Sequence, residues 1–160
     1  MRTSSTTRIY RVIVWPAWVM LLSSWANADF LFYEEAPIKY SDTKPNDPIA
    51  EWILPYEQGK LEFDDSSEKA FLHSLLDKIE VPLESQVLVF SRTSFQNDLI
   101  RPQRPRAIYF SENFYIGWVQ GGSIEIASMD PELGPIFYRM STPFGRQDKP
   151  RIVRDAQCLN

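Results

Sequence analysis

Apolar residues along this chain repeat first with the period of an α-helix and later with that of β-strands. Between residues 64 and 80, apolar side chains recur at positions i, i+3, i+4 and i+7, which predicts an amphipathic helix. The apolar stripe consists of Phe71, Leu72, Leu75, Leu76 and Ile79. Asp65, with Glu68 three residues later, is the predicted N-cap, and Pro82 follows the predicted end.

The second half of the chain carries strand patterns. Residues 86–91 are a continuous apolar and β-branched run, which is typical of a strand buried on both faces. Gly121 and Gly122 separate two alternating segments and predict a tight hairpin turn. The predicted strands are residues 86–91, 107–110, 114–120, 123–128 and 135–140. Together with one main amphipathic helix, they predict an α+β fold with a four- to five-stranded, mainly antiparallel sheet.

The first part of that domain is predicted to be irregular. Residues 29–60 contain several prolines, which remove backbone donors and oppose regular structure. Residues 49–54 are predicted to form one or two helical turns that end before Pro55. A single α+β domain is therefore assigned to residues 29–140.

Residues 1–28 have the three parts of a secretory signal peptide. Three arginines precede an apolar run over residues 12–22, and Ala26-Asn27-Ala28 places small residues before a cut at Asp29. A membrane anchor is the alternative, but a spanning helix needs roughly 20 apolar residues. We therefore expect an exported protein of the periplasm or an equivalent extracytoplasmic space, without a stable membrane span after signal cleavage.

Composition excludes one partner class and one stabilising device. After cleavage at Asp29, 14 Lys and Arg remain against 21 Asp and Glu, a net charge of −7. Nucleic acid binding needs clustered positive charge, so no nucleic acid partner is expected. A single cysteine excludes an intramolecular disulfide.

Candidate catalytic groups are few, and the sequence predicts no catalytic residue and no metal site. His73 is the only histidine, and Asp77 lies one helical turn away as a possible orienting carboxylate for a hydrolase. No nucleophile motif accompanies it, so an ordinary histidine on the helix surface is the favoured interpretation. One histidine and one cysteine far apart do not form a site of nitrogen and sulfur ligands. We expect that the protein is not an enzyme.

A proline-stiffened basic loop is the candidate binding site. It contains Arg101, Arg104 and Arg106, and Arg92 lies nearby in the sequence. Guanidinium groups bind carboxylates well, so the loop is a candidate for a haem propionate or an acidic partner face. A solvated loop is the alternative interpretation.

The last segment, residues 141–160, is polar and predicts a linker that ends in half of a haem-attachment motif. Cys158-Leu159-Asn160 has the spacing that precedes the second Cys and the His of Cys-x-x-Cys-His. A stray thiol is the alternative interpretation of Cys158.

Four segments carry a resemblance to a family: residues 85–96, 105–111, 115–122 and 130–138. They resemble exported proteins of planctomycete-type bacteria that combine an N-terminal α+β domain with c-type haem motifs. The resemblance covers roughly residues 47 to 158. The first Cys-x-x-Cys-His of that family falls where Cys158 stands here, which implies that Cys158 is its first thioether cysteine.

The resemblance implies haem c in an intact parent protein and none in this chain, because the second cysteine and the axial histidine have no counterpart here. The expected function is that of a truncated N-terminal domain of an exported c-type-cytochrome-like electron-transfer protein with a redox partner protein. The alternative is a stand-alone exported binding or scaffold module without a cofactor, which uses the exposed face of the sheet and the arginine loop.

Overall fold

The computed structural model describes residues 33–90, 94–145 and 149–155. Within these residues it has two α-helices, α1 (Pro48–Glu57) and α2 (Glu68–Lys78), and a 3-10 turn at Leu83–Ser85. The strands are β1 (Val87–Val89), β2 (Arg106–Phe110), β3 (Phe114–Trp118), β4 (Ile124–Asp130), β5 (Gly134–Met140) and β6 (Ile152–Arg154).

The six strands form one sheet in sequence order, and each strand pairs antiparallel with the next. The α+β class and the antiparallel sheet are therefore confirmed. The sheet has six strands where four to five were predicted, and α1 adds a second helix. The additional strand, β6, lies in the segment predicted to be a polar linker. Residues 151–154 contain only two apolar residues, too few for a clear alternating pattern.

Helix α1 extends past Pro55 to Glu57, so its predicted end was wrong. The helix begins where the Asp47 carboxylate accepts a hydrogen bond from the Ile49 N–H at 3.0 Å, with Pro48 in the first turn. Its last turn buries Tyr56, whose hydroxyl donates to the Ser141 carbonyl at 2.7 Å. This burial stabilises the helical turn that contains the proline.

Helix α2 begins later than predicted, because Ser67 and not Asp65 is its N-cap. The Ser67 hydroxyl accepts from the Ala70 N–H at 3.1 Å. The Glu68 carboxylate accepts from the Gly121 N–H in the β3–β4 turn at 2.5 Å, which connects the helix to the sheet. The predicted stripe is confirmed, since its five residues are all buried.

The hydrophobic core lies between the two helices and one face of the sheet. Alternate residues of the central strands point into it, among them Tyr109, Ile116, Ile126 and Tyr138. The residues between them point to the opposite face, over which the structure places no helix of the described residues.

The apolar run of residues 86–91 predicted a strand buried on both faces, and this prediction was wrong. Strand β1 lies at the edge of the sheet. Val87 is 48% exposed and Leu88 is 52% exposed. A continuous apolar run identifies a strand but does not distinguish a central position from an edge. The predicted hairpins β2–β3 and β3–β4 are confirmed.

Candidate functional site

A shallow apolar trough of about 380 Å³ lies on the sheet face opposite the helices. Strand register places its residues side by side: Ile108 pairs with Gly117, and Ala127 lies between Tyr115 and Phe137. The floor is formed by Gly117 and Ala127, two of the smallest residues. The depression follows from this choice, because larger neighbours rise around a floor that has almost no side chain.

The wall of the trough is largely aromatic and sulfur-containing. Its members are Phe95, Ile108, Tyr115, Met129, Pro135 and Phe137. Tyr115 is 54% exposed and Met129 is 40% exposed. Tyr115 stacks on Phe110, with ring centroids 6.2 Å apart. Among the described residues no helix covers this face, so Tyr115 and Met129 remain in contact with solvent.

One end of the trough is closed by a polar cluster around Glu125, which is only 8% exposed. One carboxylate oxygen of Glu125 accepts from the Ser94 hydroxyl at 2.5 Å and from Gln96 Nε2 at 3.2 Å. The other carboxylate oxygen forms an ion pair with Arg106 Nη2. Each carboxylate oxygen is therefore hydrogen-bonded, as a buried charge requires.

Ser94 lies in a loop, and the Gln96 side chain attaches this loop to the sheet. Its side-chain amide donates to the Ser123 carbonyl at 2.9 Å and accepts from the Ser123 N–H at 2.6 Å. The turn has room for this amide because residue 122 is glycine: a Cβ there would lie 3.0 Å from Gln96 Cδ. The anchored loop places Phe95 over the trough, and the Arg139 guanidinium lies 5.7 Å from its ring centroid.

The charged side chains of this face are paired with one another. Arg106 pairs with Glu125, and Arg139 pairs with Asp155 at 3.4 Å. The Asp155 N–H donates to the Phe137 carbonyl at 2.8 Å, so the chain leaves the sheet beside the trough wall. In a chain of net charge −4, this face is apolar and its charged side chains are paired.

The three predicted arginines that lie in the described residues do not form one cluster. Arg106 is engaged with Glu125, and its side chain is 18% exposed. Arg101 and Arg104 are exposed and close a turn through mutual backbone hydrogen bonds of 3.0 and 2.8 Å. Arg92 and Cys158 lie outside the described residues, as does the predicted signal peptide.

The cluster around Glu125 is suited to holding structure and not to nucleophilic chemistry. The Ser94 hydroxyl donates to a carboxylate whose second oxygen is already ion-paired, whereas an activated serine needs a base that is ready to accept its proton. His73 is exposed on α2, on the opposite side of the sheet. Residues 33–90, 94–145 and 149–155 contain no group of three metal-ligating side chains. The same residues contain no helix with the length and apolarity needed to cross a membrane.

Comparisons of this chain with protein families, curated proteins and solved structures found no match.

Sequence reasoning missed the cluster of Ser94, Gln96 and Glu125, because Glu125 lies 31 residues after Ser94 and 29 residues after Gln96. Glu125 alternates with isoleucines in a pattern that predicts a solvated side chain. The one available signal was Gly117 inside a predicted strand, since an interior glycine often marks the close approach of another group.

Proposed function

We propose that this chain is a non-catalytic docking domain of an exported electron-transfer protein, of the c-type cytochrome kind that its sequence resembles. The domain supplies a surface for a redox partner protein. The trough carries the docking part of the proposal: the fold covers one sheet face with two helices and leaves Tyr115, Phe110 and Met129 exposed on the other. Clustered exposed apolar side chains mark interaction surfaces.

The chemistry of the trough favours a partner with an apolar contact surface. Aromatic residues and methionine are enriched in the buried centres of interfaces, where charged residues are depleted. The charges on this face are already paired, so they neither attract nor repel the centre of a partner. Arg101 and Arg104, exposed just before β2, supply basic groups for an acidic rim.

The electron-transfer part of the proposal rests on the sequence resemblance and on where β6 ends. Asp155 is bonded to Phe137 at the trough wall, so whatever follows Asp155 starts beside the docking surface. The residues present do not fit haem c: the chain has one cysteine, and its only histidine lies exposed on α2. We therefore expect the chain itself to be colourless.

The test is to express residues 29–160 together with a c-type haem maturation system. A haem-linked peroxidase stain and an absorption spectrum should both be negative. The isotope-labelled chain is then titrated with a soluble c-type cytochrome and followed by NMR. We expect shifts at Tyr115, Met129 and Phe137. Shifts confined to the helices, or none at all, would contradict the proposal.

A matched pair of variants sharpens this test. Tyr115→Ser should weaken binding of the cytochrome, because it removes an aromatic side chain of the trough wall that is 54% exposed. Leu54→Ser is the control, since Leu54 is 61% exposed on α1 and lies away from the trough. Equal affinities of the two variants would remove the trough as the docking surface.

A stand-alone binding module without a cofactor is the second candidate. The observation that favours it is that the residues lining the trough form an apolar binding surface and include no cysteine or histidine that could hold haem. Sequencing the transcript beyond the codon for Asn160 separates the two candidates. A following Cys-His supports the electron-transfer parent, whereas unrelated sequence in every frame supports the stand-alone module. In either case, neutralising Arg101 and Arg104 together should weaken binding of an acidic partner.

A further inference from the structure

The two edges of the sheet, β1 and β6, differ in how they meet solvent. Arg151 directly precedes strand β6, and Arg154 is its last residue. The Arg154 guanidinium donates to the Thr43 carbonyl at 3.0 Å and lies 4.1 Å from the Tyr40 ring centroid. Charged residues and a covering segment are the usual means of preventing strand addition at an edge. The β6 edge has both.

Within residues 33–90, 94–145 and 149–155, strand β1 has neither. Residues 85–90 contain no charged side chain. Val87, Leu88 and Phe90 are 48%, 52% and 60% exposed. An uncharged apolar edge strand offers both side chains and backbone groups to another strand.

The directions of these side chains indicate what kind of element covers them. Val87 pairs with Ile108 and shares the trough face, whereas Leu88 pairs with Ala107 and points to the helix side. A helix or a small molecule bound on one face would leave the other side chain in water. A paired strand covers both, because its own side chains alternate between the two faces.

We propose that β1 is a homodimer interface, through which two copies of this chain pair antiparallel and join their sheets. The pairing is self-complementary: with the two-fold axis at Leu88, Val87 lies opposite the partner's Val89, and Leu88 lies opposite the partner's Leu88. No like charges meet within residues 85–90. The proposal is independent of the docking function.

Two geometric consequences follow from this pairing. The two-fold axis stands perpendicular to the sheet, so both troughs face the same side of the dimer. The charged and covered β6 edges are left at its two ends, so the assembly stops at two copies and does not extend into a fibre.

The test measures the mass of residues 29–160 by sedimentation from about 1 µM to about 1 mM, a range that covers weak and moderate dimers. A reducing agent is present throughout, because Cys158 could otherwise link two chains. We expect a concentration-dependent dimer. Leu88→Lys places two ammonium groups directly opposite each other and should weaken the dimer about tenfold or more.

Leu54→Lys adds the same charge at a leucine on α1 that is 61% exposed and should leave dimerisation unchanged. Mixing Leu88→Lys with Leu88→Glu should restore a dimer of one chain of each kind. A wild-type monomer up to about 1 mM would overturn the proposal. So would a Leu88→Lys dimer as tight as wild type, or a lysine and glutamate mixture that stays monomeric.

Discussion

Gly117 on β3 leaves the space that the Arg106 guanidinium crosses to reach Glu125 on β4. A Cβ at Gly117 would lie 2.7 Å from Arg106 Nε and 2.8 Å from Cζ, closer than real contacts allow. A Cβ at this position would therefore force the guanidinium to shift, whereas the backbone angles of Gly117 do not require glycine. The crossing Arg106 side chain therefore lies over Gly117 at the floor of the trough.

Gly117→Ala should displace the guanidinium and leave the Glu125 carboxylate without its charged partner. We expect a loss of about 2 kcal/mol in the free energy of unfolding, the typical value for a hydrogen bond to a charged group. Urea denaturation measures it. In an Arg106→Ala background the same glycine substitution should cost far less, because nothing crosses β3. An equal cost in both backgrounds would contradict this account.

Asp47 should matter more to stability than the other helix N-cap, Ser67. Asp47 caps α1 and also accepts a hydrogen bond from the buried Tyr138 hydroxyl. Asp47→Ala removes the cap and leaves that hydroxyl unpaired, which should cost about 3 kcal/mol. Ser67→Ala removes only an exposed cap and should cost about 1 kcal/mol. Equal losses in thermal denaturation would show that the Tyr138 contact contributes nothing.

Asp130 should make the protein sensitive to acid. Burial opposes ionisation of its carboxyl, but backbone N–H groups of Asn46, Leu133 and Glu132 and the charge of Arg154 outweigh it, so its pKa is lowered. A lowered folded-state pKa contributes stability above the unfolded pKa of about 4, and this contribution is lost as the pH falls through the folded value.

The measurement is the free energy of unfolding between about pH 5 and pH 2. Asp130→Asn should be less stable at neutral pH and should lose less stability on acidification than wild type. If the two curves stay parallel, the Asp130 carboxyl does not titrate differently in the folded and unfolded chains.

Deprotonation of Tyr56 should lower the stability of the protein at high pH. Burial raises its pKa to about 12, although its hydrogen bond to Ser141 opposes the shift. A raised folded-state pKa contributes stability below the unfolded value of about 10 and loses it as the pH rises towards the folded value. Tyr56→Phe should cost about 1 kcal/mol at pH 7. Its unfolding free energy should fall less steeply above pH 10 than that of wild type; an equal fall would contradict the assignment.

Local patterns predicted the parts of this fold that are stabilised locally. The stripe of α2 and the hairpin at Gly121 lie in short stretches whose periodicity or turn residues specify them. Strand β6 was missed because Ile152 and Val153 are too few to show alternation, and it forms only by pairing with β5. The edge position of β1 was missed because an apolar run does not reveal how many neighbours a strand has.

The candidate site was less accessible to sequence reasoning than the fold. Arg106 was selected for its charge as part of a basic loop, yet the structure pairs it with Glu125 across β3. Glu125 was interpreted as a solvated residue, because alternation along a strand defines two faces but does not show what covers each face. The trough itself depends on the register that brings Gly117 and Ala127 together.

Hydrogen bonds join residues 40–57 to Ser141 and Arg154. These bonds bear on the order in which the protein folds. Strands β2, β3 and β4 each pair with the next strand through a short turn, so their hairpins can form one after another without long loop closure. Residues at the start are different: Arg154 donates to the Tyr40 carbonyl, and Tyr56 donates to Ser141. The segment that contains Tyr40 therefore reaches its final position only after β6 has been synthesised.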